Sequence, residues 1–193
     1  MNIVRFDDVE PVMWKNGGGL TRELACHAPH DDSVNFAWRI TVATVSRPGD
    51  FSFFDGVDRT IVVVRGNGII LRRSGHADMP LSRDSAPFRF RGEEAIFSDV
   101  VDGPTLDLNV MTRRESFQHV VTRFDFLNKT TIECTDELAT IVAITPIDVY
   151  IEGKYFSLSA LDSISEIPKV TILAGSSGPA IIYYIGISKK APD

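Results

Sequence analysis

The chain is predicted to be all-β, a sandwich or barrel, and three observations carry that prediction. Apolar and polar residues alternate with period two over residues 36–45 and 105–113. Short runs of β-branched and aromatic residues recur along the length, and Gly, Pro and Asp-Gly turn signals separate them. Hardly any segment sustains the 3.6-residue apolar period of an amphipathic helix. With 193 residues, of which 44% are hydrophobic, the chain can bury a full core. Two stretches of similar strand rhythm meet near residues 115–118. They suggest an N-terminal barrel over residues 1–115 and a C-terminal barrel over 116–193, although no internal repeat marks the duplication.

In chain order, residues 3–12 alternate weakly and end at Pro11, which reads as a strand and a turn. Next comes Trp14-Lys15-Asn16-Gly17-Gly18-Gly19, a loop whose backbone can approach other groups closely. It is flanked by Thr21, Arg22 and Glu23. The glycines do not form a phosphate-binding fingerprint, because no GxxxxGK[ST] is present and no helix-forming run follows. Cys26, His27 and His30 are the one place where Cys and His crowd together, and with no second ligand pair they read as a surface loop rather than a metal site. His76 and His119 are isolated.

Over residues 36–45, Phe36, Trp38, Ile40 and Val42 share one face and Ala37, Arg39, Thr41 and Ala43 the other. Residues 105–113 repeat the design, with Leu106, Leu108 and Val110 opposite Asp107, Asn109, Met111 and Arg113. Between them, residues 49–71 read as strand, turn, strand, turn, strand: Phe51-Ser52-Phe53-Phe54, then Asp55-Gly56, then residues 60–64, then Gly66-Asn67-Gly68 and residues 69–71. Arg59 interrupts this apolar logic at the start of its most buried-looking strand. Its guanidinium is expected at the edge of a cavity; the alternative is a surface pair with Asp55 or Asp58. Further strands are expected at 88–90, 94–101, 119–126, 138–145, 147–151, 155–158, 170–173 and 180–187.

A formal charge of −6 without a basic block argues against a nucleic-acid surface. No apolar run approaches the roughly 20 residues of a membrane span, and the acidic start (MNIVRFDDVE) is unlike a secretory signal. These features point to a cytoplasmic protein with no membrane and no nucleic-acid partner, whose Cys26 and Cys134 are free thiols. Arginine outnumbers lysine, and arginine suits fixed, two-pronged recognition of carboxylates.

Together, residues 14–24 (WKNGGGLTREL), 36–45 (FAWRITVATV), 49–71 (GDFSFFDGVDRTIVVVRGNGIIL), 87–92 (PFRFRG) and 107–114 (DLNVMTRR) resemble the HutD/Ves family of bicupin proteins. The motifs cover about the first 115 residues, and beyond them the likeness is one of strand rhythm. The resemblance implies two jelly-roll-like, double-stranded β-barrels and a bacterial role in histidine utilisation, in which a pathway intermediate is bound to limit or tune the pathway. Metal-dependent cupins carry a His-x-His pair where this chain reads Phe51-Ser52-Phe53-Phe54, so neither a metal nor any other cofactor is expected.

The expected partner is a small anionic metabolite: urocanate, formiminoglutamate or formylglutamate, like histidine itself, all carry carboxylates. Arg59 is the expected anchor, with Arg39, Asp107 and Asn109 on the same cavity. Trp14 or Trp38 would cover the ligand, and Asn16, Thr21 and Arg22 would contribute from the glycine segment. A one-residue register error would instead send Arg39, Asp107 and Asn109 to solvent. No catalytic residue is assigned. The alternatives are a metal-independent cupin enzyme, with Asp107 or Glu23 as its proton-transfer group, and a protein-interaction module; a homodimer is open.

Overall fold

The alternating segments become strands that pair across long stretches of chain. The structure is a computed structural model, and it describes residues 1–14, 17–28, 36–167, 169–174 and 179–191. After β1 (Asn2–Val4) and a 3-10 turn at Phe6–Asp8 come β2 (Val12–Met13), β3 (Gly19–His27), β4 (Trp38–Val45) and β5 (Gly49–Asp50). Then follow β6 (Val57–Arg65), β7 (Ile69–Arg73), β8 (Met79–Leu81), β9 (Phe88–Arg91), β10 (Ile96–Val100) and β11 (Thr105–Arg113). The remainder holds β12 (Phe117–Phe126), β13 (Lys129–Glu133), β14 (Leu138–Ala143), β15 (Ile147–Ile151), β16 (Lys154–Leu158), β17 (Ser163–Ser165), β18 (Lys169–Ala174) and β19 (Ala180–Lys189). Among the described residues no helix is long and apolar enough to cross a membrane.

The chain divides into two compact units, residues 10–118 and residues 1–9 with 119–193. Each is a two-sheet antiparallel barrel. In the first, the sheet β2-β3-β4-β11-β6-β9 faces the sheet β5-β10-β7-β8; in the second the sheets are β1-β17-β14-β19-β12 and β13-β18-β15-β16.

Three local expectations change. Residues 3–12 do not form one strand opening the first barrel: β1 pairs with β17, Ile3 opposite Ile164. The turn after it is pinned by Asp162, which accepts the Phe6 backbone N–H at 2.9 Å and Arg5 Nη1 at 2.7 Å. The Phe51–Phe54 stretch is not a regular strand either. Its backbone bonds are spaced irregularly, Phe51 N–H to the Ile96 carbonyl at 2.8 Å and Phe54 N–H to the Gly92 carbonyl at 2.9 Å. Residues 19–27, read as part of a glycine-rich loop and a Cys/His loop, form β3, whose last two residues are Cys26 and His27. Its register shifts between Glu23 and Ala25, so no clean alternation marks it in the sequence.

The interiors of the two barrels differ. In the barrel of residues 1–9 and 119–193, Ile141, Val149, Ile151, Leu158, Ile164, Ile172 and Ile182 belong to one buried apolar cluster. Full burial of each such side chain contributes on the order of 1.5–3 kcal/mol. In the barrel of residues 10–118 an apolar cluster of Ile61, Val63, Ile69, Leu71, Leu81, Phe90 and Ile96 fills part of the interior. The rest is open.

Candidate functional site

The open part is a cavity of about 510 Å³ whose floor is the inner face of β4, β11 and β6. Register fixes which side chains lie there. Met111 stands between Arg39 and Arg59, Asn109 between Thr41 and Ile61, and Asp107 between Ala43 and Val63. Directly opposite residues share a face of the sheet. The walls come from Val12, Met13 and Trp14 on one side and from Asp50, Phe51, Ser52 and Phe54 on the other. A volume of this size suits a small molecule.

Arg59 is 5% exposed. Its Nε and Nη2 donate to Asn109 Oδ1 at 3.4 and 3.2 Å, and Nη1 donates to the Ser52 carbonyl oxygen at 3.1 Å. The guanidinium carbon lies 4.7 Å from the ring centre of Phe90, 5.3 Å from Phe51 and 5.4 Å from Phe54. Three ring faces at this range hold a cation in place through their quadrupoles. No carboxylate among the described residues lies within ion-pair distance of it; Asp58, the surface alternative, is taken by Arg114 at 2.6 Å and Arg89 at 3.0 Å. Burial lowers the Arg59 pKa to about 10, with Asp107 offsetting part of the shift. A guanidinium has five N–H groups. Three are used here, which leaves one on each terminal nitrogen.

Asp107 is 1% exposed. Its Oδ1 accepts Asn109 Nδ2 at 3.0 Å, so Asn109 bridges it to Arg59. Burial between Ala43 and Val63 pushes its pKa up to about 6, against the opposing pull of the Asn109 hydrogen bond and the Arg59 charge. Arg39 lies at the cavity wall, partly exposed, with its charge matched by Glu23 Oε2 at 2.6 Å. Two arginines thus share the cavity, and only Arg59 lacks a carboxylate beside it.

Trp14 is placed by the glycines. Its Nε1 donates to Thr21 Oγ1 at 2.7 Å, and its backbone carbonyl accepts the Gly17 N–H at 2.9 Å, where Gly17 has φ +67°. A Cβ at Gly19 would collide with the Thr44 carbonyl oxygen and press on the Trp14 ring. Glycine there leaves room for the indole beside β3.

Of the residues expected at the site, Arg59, Arg39, Asp107, Asn109, Trp14 and Thr21 line the cavity. Trp38 and Arg22 do not. Each is one residue from a cavity-lining neighbour, Arg39 and Thr21, and the period-two pleat turns it to the other face. Trp38 stacks on His27 at 6.0 Å and 14°, and Arg22 stands opposite Val42. Asn16 lies outside the described residues. Thr41 and Met111 belong to the site and were readable from the strand faces. Phe51, Ser52 and Phe54 were not, because irregular backbone gives no period to read, and Asp50 ends a two-residue strand too short to show one. Among the described residues no three His, Cys, Asp or Glu side chains gather as a metal-holding group. The only acidic groups at the cavity are Asp50 and Asp107 among its described lining residues.

Two double-stranded β-barrels in one chain define a bicupin. The chain belongs to the HutD family, whose model matches residues 7–172. It is 36% identical over 104 residues to Protein Ves of Citrobacter koseri, an alignment covering 53% of each protein, so the chain spans about half the length of that curated relative. Its backbone is similar to a conserved protein of unknown function from Pseudomonas aeruginosa PAO1, with TM-score 0.85, 25% identity and coverage of 97% and 98% of the two chains. It is also similar to HutD from Pseudomonas fluorescens SBW25, solved in a formate condition, with TM-score 0.80, 23% identity and coverage of 98% and 99%.

Proposed function

We propose that the chain is a non-catalytic regulator of histidine utilisation that binds a carboxylate-bearing intermediate in the cavity of residues 10–118. Membership of the HutD family supports the pathway. The observation that carries the binding reading is Arg59: a guanidinium 5% exposed, with no carboxylate in ion-pair range among the described residues and one unused N–H on each terminal nitrogen. A desolvated charge without a counter-charge is costly, so the site favours an anion. Two parallel donors favour a carboxylate over a monatomic ion. Trp14 would cover the planar or aliphatic part of the ligand.

Calorimetric titration with urocanate, formiminoglutamate and formylglutamate tests this, with the small molecule recovered afterwards. Saturable heat and unchanged ligand is the expected result. One observation favours the enzyme reading instead, namely Asp107, a cavity carboxyl whose pKa of about 6 suits proton transfer near neutral pH. Consumption of the recovered compound would select that reading.

A further inference from the structure

We infer that Arg114, which does not line the cavity, is a positioning residue for it: by tying two turns to the end of β11 it fixes the wall that aims Arg59. The inference rests on the binding reading above and goes beyond it, to what holds the site in its binding shape. The need for such a residue comes from residues 51–54. Among the described residues this wall belongs to no strand, and its backbone is tied by the Phe51 N–H to the Ile96 carbonyl at 2.8 Å and the Phe54 N–H to the Gly92 carbonyl at 2.9 Å. Between the ties lies the Ser52 carbonyl, which accepts Arg59 Nη1 at 3.1 Å. At the second tie is Phe54, whose ring centre is 5.4 Å from the guanidinium carbon and which meets Phe36 edge-on. A shift at Gly92 therefore moves Phe54 and, through Ser52, turns the Arg59 donors.

Gly92 has no side chain with which to hold its place. Its N–H donates to the Val57 carbonyl at 2.7 Å, and a Cβ on it would strike the Phe54 carbonyl oxygen, so its backbone lies directly against the wall. Arg114 holds this corner. Its Nη1 and Nη2 donate to the two oxygens of Glu93, the residue after Gly92, at 2.7 and 2.9 Å. Nη2 also donates to the Val57 carbonyl at 3.1 Å, Nε to Asp58 Oδ1 at 2.6 Å, and the backbone N–H to the Gly56 carbonyl at 2.8 Å. One side chain thus locks the turn at 92–93 to the turn that opens β6, the strand of Arg59. A two-pronged guanidinium–carboxylate pair fixes orientation as well as distance. Exposed ion pairs contribute little to stability, and the Arg114 side chain is 29% exposed, so its loss is expected to fall on geometry more than on folding. Arg72 provides the contrast. It lies in the same barrel and pairs with Asp78 and Asp99, but among the described residues it bonds to neither 51–57 nor 92–93.

Two measurements test this together: formate titration, and the Arg59 Nε–H resonance in nitrogen-15 spectra of the ligand-free protein, identified by its absence in Arg59→Lys. In Arg114→Ala the affinity for formate is expected to fall roughly threefold to thirtyfold, the range for residues that act on a site without touching its ligand. The Arg59 resonance shifts or broadens, and the denaturation midpoint stays near that of Arg72→Ala. Arg114→Lys recovers little, because an ammonium cannot hold Glu93, Asp58 and the Val57 carbonyl in one plane. Arg72→Ala keeps wild-type affinity and an unmoved Arg59 resonance. Wild-type affinity with an unmoved resonance in Arg114→Ala would overturn the inference and leave the Arg59 anchor standing, and an equal loss in Arg72→Ala would overturn it as well. If the wild type binds no formate, the binding reading fails by itself, and the Arg59 resonance decides whether Arg114 positions the group. If Arg114→Ala fails to fold, Glu93→Gln, which loosens the same corner and leaves the bond to Asp58, is read by the same criteria.

Discussion

Ile141 and Arg59 occupy matching situations in the two barrels and have opposite chemistry. Each lies in the interior of its barrel on an inner strand of the larger sheet, Ile141 fully buried and Arg59 5% exposed. Ile141 stands between Ile164 and Tyr184 and belongs to a cluster dominated by Ile, Val and Leu. Arg59 is surrounded by Phe51, Phe54, Phe90 and Asn109, and it lines a cavity. Closing a two-sheet barrel requires strands with one apolar face, and both units have that. Leaving a charge inside requires a reason that folding does not supply, since burial works against it. The packed barrel is explained by its own stability, whereas the buried arginine beside a cavity is what the proposed binding role would account for.

The largest expected effect separates the two regions. Arg59→Ala should abolish carboxylate binding, a loss of about 2–5 kcal/mol, or roughly 30-fold to several thousand-fold in Kd. Its folding should survive by circular dichroism. Arg59→Lys should recover little, because an ammonium cannot offer two parallel donors. Ile141→Ala should do the reverse, costing about 2–5 kcal/mol in denaturant unfolding while leaving affinity unchanged. Loss of binding in both variants at equal stability would end the contrast.

Next in size is Gly19→Ala. The added methyl meets the Thr44 carbonyl oxygen and the Trp14 ring, so β3 or the indole must shift. A loss of about 1–3 kcal/mol in stability is expected, with a change in Trp14 fluorescence. An unchanged emission spectrum would show that the glycine does not place the tryptophan.

A smaller effect is the pH dependence of formate binding. Asp107 has its pKa raised to about 6, so it is ionised above that value and neutral below it. Its negative charge opposes a carboxylate on Arg59. Formate stays ionised down to about pH 5, so its affinity should rise as pH falls from about 7.5 to about 5, by roughly three- to tenfold. The other charged groups at the cavity are Arg59 on β6, Arg39 on β4, paired with Glu23 on β3, and Asp50 on β5. Asp107→Asn should flatten the slope, and a slope that persists in that variant would move the titration elsewhere. The smallest expected effect is at the residues the pleat turns away: Arg22→Ala and Trp38→Phe should leave affinity within about twofold.

The all-β class was legible because alternation is a local property, visible in β4 and β11 without knowing their partners. The same period put Arg39, Asp107 and Asn109 on one face, and the structure gathers them with Arg59. Trp38 and Arg22 show the limit of that reading, since in each case a one-residue step reverses the face. The pairing of β1 with β17 joins residues more than 150 apart, Ile3 with Ile164, and no local pattern announces it. The wall at Phe51, Ser52 and Phe54 was hidden for a different reason. Its direction is set by hydrogen bonds to Ile96 and Gly92 rather than by strand geometry.

The claim that Arg59 anchors a carboxylate is tested most directly by a crystal of the chain soaked in 3-bromobenzoate, whose aryl bromine does not alkylate the exposed Cys26 thiol and locates the molecule by anomalous scattering. The account predicts one bromine inside the cavity of residues 10–118, with the two carboxylate oxygens within hydrogen-bond distance of Arg59 Nη1 and Nη2. Bromine found only on the surface, with the Arg59 guanidinium still bonded to Asn109 and the Ser52 carbonyl alone, would contradict it.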